Sequence, residues 1–274
     1  MYPQLFTICG ITIQTYGLLM AIGFSLCYCL ATILAKRSGR NPDEVKTIVM
    51  LAAFGGVLGA RIIYVWQNWT LEFAENPLSM FMIWRGGLVF YGGFILAAAL
   101  ILLYALLKKE RILSLADFCA VFVPLGHFFG RIGCFFFGCC YGRIASDSWL
   151  GCSFPKGSPP WLHQVGERLI SPYSVKSLPV CPTQLIEALG CGILFGCLWW
   201  VYRRYRLAYG LCTAIYCAGY AGLRFIIECF RDDPRGETYW GLTFSQLISL
   251  ELLAVAMVLL ITIWRRKDDG TVCS

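Results

Sequence analysis

Charge is scarce in this sequence: Asp, Glu, Lys and Arg make up 14% of its 274 residues. With 58% hydrophobic residues and a mean hydropathy of +0.65, so little charge excludes a pair of ordinary soluble domains, although the length would suit them. Histidine is scarcer still, with two in the chain, and the cysteine spacing matches no common zinc pattern. Internal repeats, low-complexity tracts and any stretch that reads as a separate soluble domain are missing. The first residues, MYPQLFTICGITIQTYG, lack the basic n-region and small-residue cleavage site of a secretory signal, so the first apolar run is expected to persist in the mature protein.

What the chain has is long apolar runs. About 20 apolar residues cross a hydrocarbon core, and about seven windows reach that length: 16–35, 47–66, 88–107, 115–136, 183–202, 209–230 and 241–264. The bilayer is the expected solvent, and the fold class is an all-α polytopic membrane protein. The net charge of +7 sits in short clusters between the runs, which reads as a topology signal and not as a surface for nucleic acid. Lys36, Arg37, Arg40 and Lys46 follow the first span; Lys108, Lys109 and Arg111 the third; Arg203, Arg204 and Arg206 the fifth; Arg265, Arg266 and Lys267 the last. Cytoplasmic loops carry the excess of Lys and Arg, so seven spans place the N-terminus outside and the C-terminus in the cytoplasm. Residues 1–274 form a single transmembrane domain in this reading, and 137–182, rich in Gly, Pro and Ser, form a small external head between the fourth and fifth spans.

Four polar patches interrupt the spans, all at the expected outer end. Arg61 lies in the second span, where an arginine costs about 2.5–3.5 kcal/mol to insert and so needs a partner, a wet cavity or the interface. The third span opens on WRGGLVFYGGF, in which Arg85 and Tyr91 flank glycine pairs that admit a neighbouring helix or a lipid headgroup. The fourth span ends in GHFFGRIGCFFFGCCYGR, where helical spacing puts His127, Arg131, Cys134 and Gly138 on one face, a titratable imidazole one turn from a permanent cation. The sixth closes on LRFIIECFRDD, with Arg224, Glu228 and Arg231 on one stripe; Glu228 neutralises one arginine and leaves the other free. Together Arg61, Arg131, Arg224 and Arg231 read as an anion site, and a phospholipid of the outer leaflet is the nearest anion. These residues alone define no reaction.

At these positions the sequence resembles the prolipoprotein diacylglyceryl transferases. The resemblance runs through almost the whole chain: TYGLLMAIGF, GGVLGAR, GGLVFYGG, GRIGCFFFGCCYGR, PTQLIE and LRFIIECFR follow in order. It implies seven spans with a small periplasmic head, in a bacterial inner membrane. It implies transfer of the diacylglyceryl group from phosphatidylglycerol to the thiol of a lipobox cysteine in a preprolipoprotein, with release of glycerol phosphate and without metal or organic cofactor. By the same resemblance Tyr16, Arg131, Gly142 and Arg224 match family motif positions, with Glu228 after the essential arginine; Gly92 and Gly93 are expected at the lipid site from their glycine pair alone. The chain departs from the family pattern at Tyr91 and Cys181, where histidine is common, and at Cys134 and Cys139, where the signature carries asparagine and glutamate.

The arginines would stabilise charge growing on the phosphate as the carbon–oxygen bond breaks, led by Arg131 and Arg224. A free thiol near pKa 8.5 is mostly protonated at neutral pH, so a base is needed, and His127 competes with Tyr91 for that part. The alternatives are a paralogue with the same lipid site and another acceptor, or a lipid-binding or transport protein without catalysis. Polar residues gathered at one end speak against transport. For Cys134, Cys139, Cys140, Cys152 and Cys181 three states stay open: disulfides bracing the head, packed thiols, or a metal or redox site.

Overall fold

The structure, a computed structural model, describes residues 4–8, 11–145, 150–205, 208–233 and 240–268. Arg206, the head residues 146–149 and the side chains of Arg85, Arg266 and Lys267 lie outside the described residues. Two short strands, β1 (Gln4–Ile8) and β2 (Ile11–Gln14), pair ahead of the helices, a feature the hydrophobic periodicity does not announce. The helices are α1 (Thr15–Ser38), α2 (Pro42–Gln67), α3 (Phe90–Lys108), α4 (Ile112–Phe137), a short α5 (Pro159–Gly166), α6 (Thr183–Arg204), α7 (Leu211–Phe230) and α8 (Phe244–Asp268). Seven of them, all but α5, are long and apolar enough to cross a membrane. Their outward faces leave Ile95, Leu103, Leu107 and Met257 exposed, which costs nothing only where lipid is the solvent.

Local signals set the helix ends. Asn41 caps α2 by accepting from the Asp43 amide, with Pro42 at the first helical position and Asp43 and Glu44 in the first turn. Lys109 closes α3 in the left-handed conformation, its amide reaching the carbonyls of Ala105 and Leu106. Asp117, buried near the start of α4, accepts from the amides of Gly210 (2.6 Å) and Thr213 (2.8 Å) and so caps α7 from another helix.

The chain divides into two compact units, one of Phe6–Ile13 and Phe24–Leu115, the other of Met1–Leu5, Gln14–Gly23 and Ala116–Ser274. In the first unit α2 and α3 meet backbone to backbone. A methyl group on Gly59 would collide with the Gly92 carbonyl, one on Gly92 with the Gly59 carbonyl, and one on Gly93 with the Gly56 carbonyl. Arg40 Nη1 donates to Glu110 Oε2 at 3.1 Å and Nη2 to Ser114 at 2.9 Å, tying the α1–α2 connection to the α3–α4 connection. In the second unit the segment between α4 and α6 folds around Tyr141, Phe154 and Val180, with antiparallel bridges from Val180 to Ile144 and Cys152. Buried Gln164 accepts from the Leu178 amide at 2.7 Å, and Trp161 Nε1 donates to Ser174 at 2.9 Å, so α5 is pinned to the returning chain.

Candidate active site

The last turns of α4, the first turn of α6 and the end of α7 bring four charges into one chain. Arg131 Nη2 stands 3.0 Å from Glu187 Oε1, and Glu187 Oε2 stands 3.8 Å from Arg224 Nη1. Arg224 Nη2 lies 2.6 Å from Glu228 Oε2, one turn along α7, and donates to Ser245 at 2.9 Å. The Thr243 hydroxyl donates to Glu228 Oε1 at 2.8 Å. Glu187 is 1% exposed, and its two arginines are 18% and 9% exposed. Ions so deep lose their hydration, which is offset only because each faces an opposite charge. The alignment is not saturated: Arg224 Nη1 is buried without a hydrogen bond among the described residues. The structure therefore holds two guanidinium groups in fixed positions with donor capacity left over.

This differs from the anion site expected of four arginines. Glu187 was not expected to take part, and with Glu228 it balances Arg131 and Arg224, charge for charge. Arg231 is not the free cation of the α7 stripe: its Nε and Nη2 grip the two oxygens of Asp233 at 3.0 and 2.9 Å. Arg61, 8% exposed, spends its donors on the carbonyls of Ser79, Met80, Met82, Gly86 and Gly87, and so fastens the loop before α3. Gly92 and Gly93 are buried against the backbone of α2, as the helix-packing alternative has it. Tyr91, in the first turn of α3, is 41% exposed and lies edge-on to Phe90. Gly138 does not extend the α4 face, because it takes φ 86° and ends the helix.

The other expected residues come together in the second unit. His127 packs its ring on Tyr220 at 4.5 Å and near Tyr216 at 6.4 Å. The Tyr16 ring covers Gly133, where a β-carbon would fall 2.6 Å from it, and its phenol is in electrostatic range of Arg131. Gly142 sits where three segments cross: a β-carbon there would lie 2.7 Å from the Phe230 carbonyl, 2.8 Å from Thr183 and 2.9 Å from Cys181.

Beside the charge chain stand three thiols. The Sγ atoms of Cys134, Cys139 and Cys140 all lie within 4.8 Å of one another, and no described cysteine is in a disulfide. Hydrogen bonds from Cys134 and Cys139, helped by Arg231 and Arg131, pull the Cys140 thiol far below the ordinary thiol range, while the hydrogen bond to Cys134 pushes Cys139 up. Burial, with Asp233 and Asp232 beside it, pushes the Tyr141 phenol up to about 12. Cys139, Cys140, Tyr141, Leu162, His163 and Asp233 line a cavity of about 470 Å³. Glu187 and the convergence of Cys134, Cys139 and Cys140, two of the five outer cysteines being left apart, are the parts sequence reasoning missed. An ionisable residue one turn into a span is a signal for the first, and nothing in the spacing announces the second.

Seven membrane-length helices, with a buried ion-pair chain drawn from α4, α6 and α7 in the second unit, define an integral membrane protein that carries a polar site. The family model for prolipoprotein diacylglyceryl transferase matches residues 3–262, and the chain belongs to that family. It is 33% identical to the phosphatidylglycerol–prolipoprotein diacylglyceryl transferase of Hydrogenovibrio crunogenus, over 97% of this chain and 95% of that one. Proteins of the same name from Pseudoalteromonas translucida and Erwinia tasmaniensis are 32% and 31% identical, covering 98% and 97% of this chain and 95% and 94% of theirs.

Proposed function

We propose that this chain transfers the diacylglyceryl group of phosphatidylglycerol to the lipobox cysteine of preprolipoproteins, forming a thioether and releasing glycerol phosphate. It works as a multi-pass protein of the bacterial inner membrane with its site on the periplasmic side, N-terminus outside, C-terminus inside, and residues 137–182 as an external head. The observation that carries the reading is the Arg131–Glu187–Arg224–Glu228 chain. Carboxylates hold both guanidinium groups still before any substrate arrives, so no reorganisation is spent when charge grows on the leaving phosphate. Arg131, the more exposed of the two, and the unsatisfied Nη1 of Arg224 supply the donors. The Arg231–Asp233 pair and the Gly142–Arg231 bridge hold the end of α7 against the segment after α4, and Tyr16 flanks Arg131. Arg61, Gly92 and Gly93 serve the fold of α2 and α3 and leave phosphate binding to the second unit. His127 is the proton acceptor for the attacking thiol, and Tyr91 is its rival; retention of full activity by His127→Ala would remove the first and by Tyr91→Phe the second.

The direct test is complementation of a strain depleted of its own diacylglyceryl transferase, with mass analysis of a reporter lipoprotein. The wild-type chain should add a diacylglyceryl mass to the reporter cysteine. Arg131→Ala and Arg224→Ala, inserted at normal levels, should lower turnover by at least about 100-fold, the order lost when one transition-state donor is removed. Normal turnover by either would end the clamp assignment.

A further inference from the structure

Where the family signature carries asparagine and glutamate, this chain builds a cluster of sulfur. We propose that Cys134, Cys139 and Cys140 form a zinc site with three protein ligands, and that its open fourth position receives the thiol of the acceptor cysteine. The inference rests on the transferase reading for its role, though not for the site itself.

Geometry comes first. Zinc–sulfur bonds of about 2.3 Å set tetrahedral sulfur pairs about 3.8 Å apart, so three Sγ atoms already within 4.8 Å need only a small contraction. Cysteines five and six positions after Cys134 would diverge if the helix simply ran on. They converge because Gly138 and Cys140 both take left-handed backbone, φ 86° and 62°, and the second of these is a conformation that residues with a β-carbon adopt rarely and that gathers at functional sites. The surrounding structure fixes it. Buried Gln184 donates to the Cys139 carbonyl at 2.7 Å and buried Thr183 to the Cys140 carbonyl at 2.8 Å, the outer-shell support that orients metal ligands. Three thiolates around one divalent ion carry a net negative charge, which is tempered by Arg131 and Arg231, both in electrostatic range of Cys140 although each also faces a carboxylate. The cavity reaching Cys139 and Cys140 gives a path to the fourth position, the arrangement that separates catalytic from structural zinc.

The chemistry fits an alkyl transfer to sulfur. A thiol bound to zinc is deprotonated outright, its proton leaving to solvent through the cavity beside Cys139 and Cys140, so the metal takes over the activation assigned above to a base. The bound sulfur then attacks the glycerol carbon that carries the phosphate oxygen. The carbon–sulfur bond forms, the carbon–oxygen bond breaks, and its electron pair leaves on the phosphate of glycerol phosphate, facing Arg131 and Arg224. Zinc stays divalent throughout, and no oxidant or reductant enters.

The full chain, purified in detergent under reductant, should hold about one zinc per molecule by elemental mass spectrometry, and Cys139→Ser or Cys140→Ser should lose it. Gln184→Ala should weaken zinc binding by roughly 10–100-fold while leaving all three thiols in place. Cobalt(II) exchanged into the site should give thiolate charge-transfer absorption that strengthens when a lipobox peptide is added and does not respond to its Cys→Ser counterpart. Wild-type protein without zinc, copper in its place, a disulfide among the three cysteines on non-reducing peptide mapping, or absorption indifferent to the peptide would each overturn the proposal. Loss of the transferase reading shows separately, as failed complementation by a chain that still carries zinc.

Discussion

Glu187 accepts charge from two helices at once, lying 3.0 Å from Arg131 and 3.8 Å from Arg224 while almost wholly buried. Removing it would strip Arg131 of its carboxylate in a low-dielectric interior and leave Arg224 with Glu228 alone. Glu187→Ala should destabilise the protein by about 3–5 kcal/mol, the range for breaking a buried pair from one side. Thermal unfolding in detergent, followed by intrinsic fluorescence, should show a clearly lowered midpoint, and an unchanged midpoint would show that the two arginines do not need the carboxylate. Glu187→Gln should recover part of the midpoint, since an amide keeps the shape and one acceptor, but should not restore turnover. The residue scale is also where sequence reading was weakest. The Arg224–Glu228 pair was legible because one helical turn joins them. Arg131 and Glu187 lie on different helices, and no spacing rule links them. Arg61 was misread for the same reason: its partners are backbone carbonyls, which look alike in every sequence.

Between α2 and α3 the glycines decide how close two helices come. Gly55, Gly59, Gly92 and Gly93 leave no room for side chains, and a β-carbon at Gly55 would fall 2.9 Å from the Ala97 Cα. Gly59→Leu should force the pair apart, at a cost of about 1–3 kcal/mol for overpacking, and should lower the yield of folded protein extracted in mild detergent. Size-exclusion profiles of the variant and the wild type would check this; identical yield and stability would mean that the helices do not meet as tightly as the structure has them. Spans were the most legible feature of the sequence, because a run of about 20 apolar residues has one physical explanation. Their ends were less so: α2 starts at Pro42, five residues ahead of the expected span, and Gly138 ends α4 where the helical spacing had continued its face. The glycine pairs admitted two readings, and only the neighbouring backbone chose between them. The β1–β2 pair and the bridges of the head stayed hidden, because short paired segments carry little periodicity of their own.

Across the whole molecule, every second connection is basic, which calls for a cytoplasmic C-terminus. The Arg40–Glu110 contact agrees with this scheme in its own unit, since it requires the first and third connections to share a side. Green fluorescent protein fused after Ser274 should therefore fluoresce, and alkaline phosphatase inserted near Leu150 should be active; the opposite pair of results would invert the topology and with it the periplasmic site. The seven spans and the family could both be read before any coordinates, whereas the network joining Arg131, Glu187 and the three thiols needed them.

Thr183, Gln184 and Glu187 occupy a single turn at the start of α6, yet they hold two different things. The first two clasp the carbonyls of Cys140 and Cys139, and the third braces Arg131 and Arg224. That turn acts as a shared hinge-pin, and a shift or rotation of α6 by a fraction of a turn would move the sulfur and the guanidinium groups together. Under the proposed clamp and thiol site, donor lipid and acceptor cysteine are gauged from one ruler, so an error in α6 would misplace both substrates by the same amount and leave their separation intact.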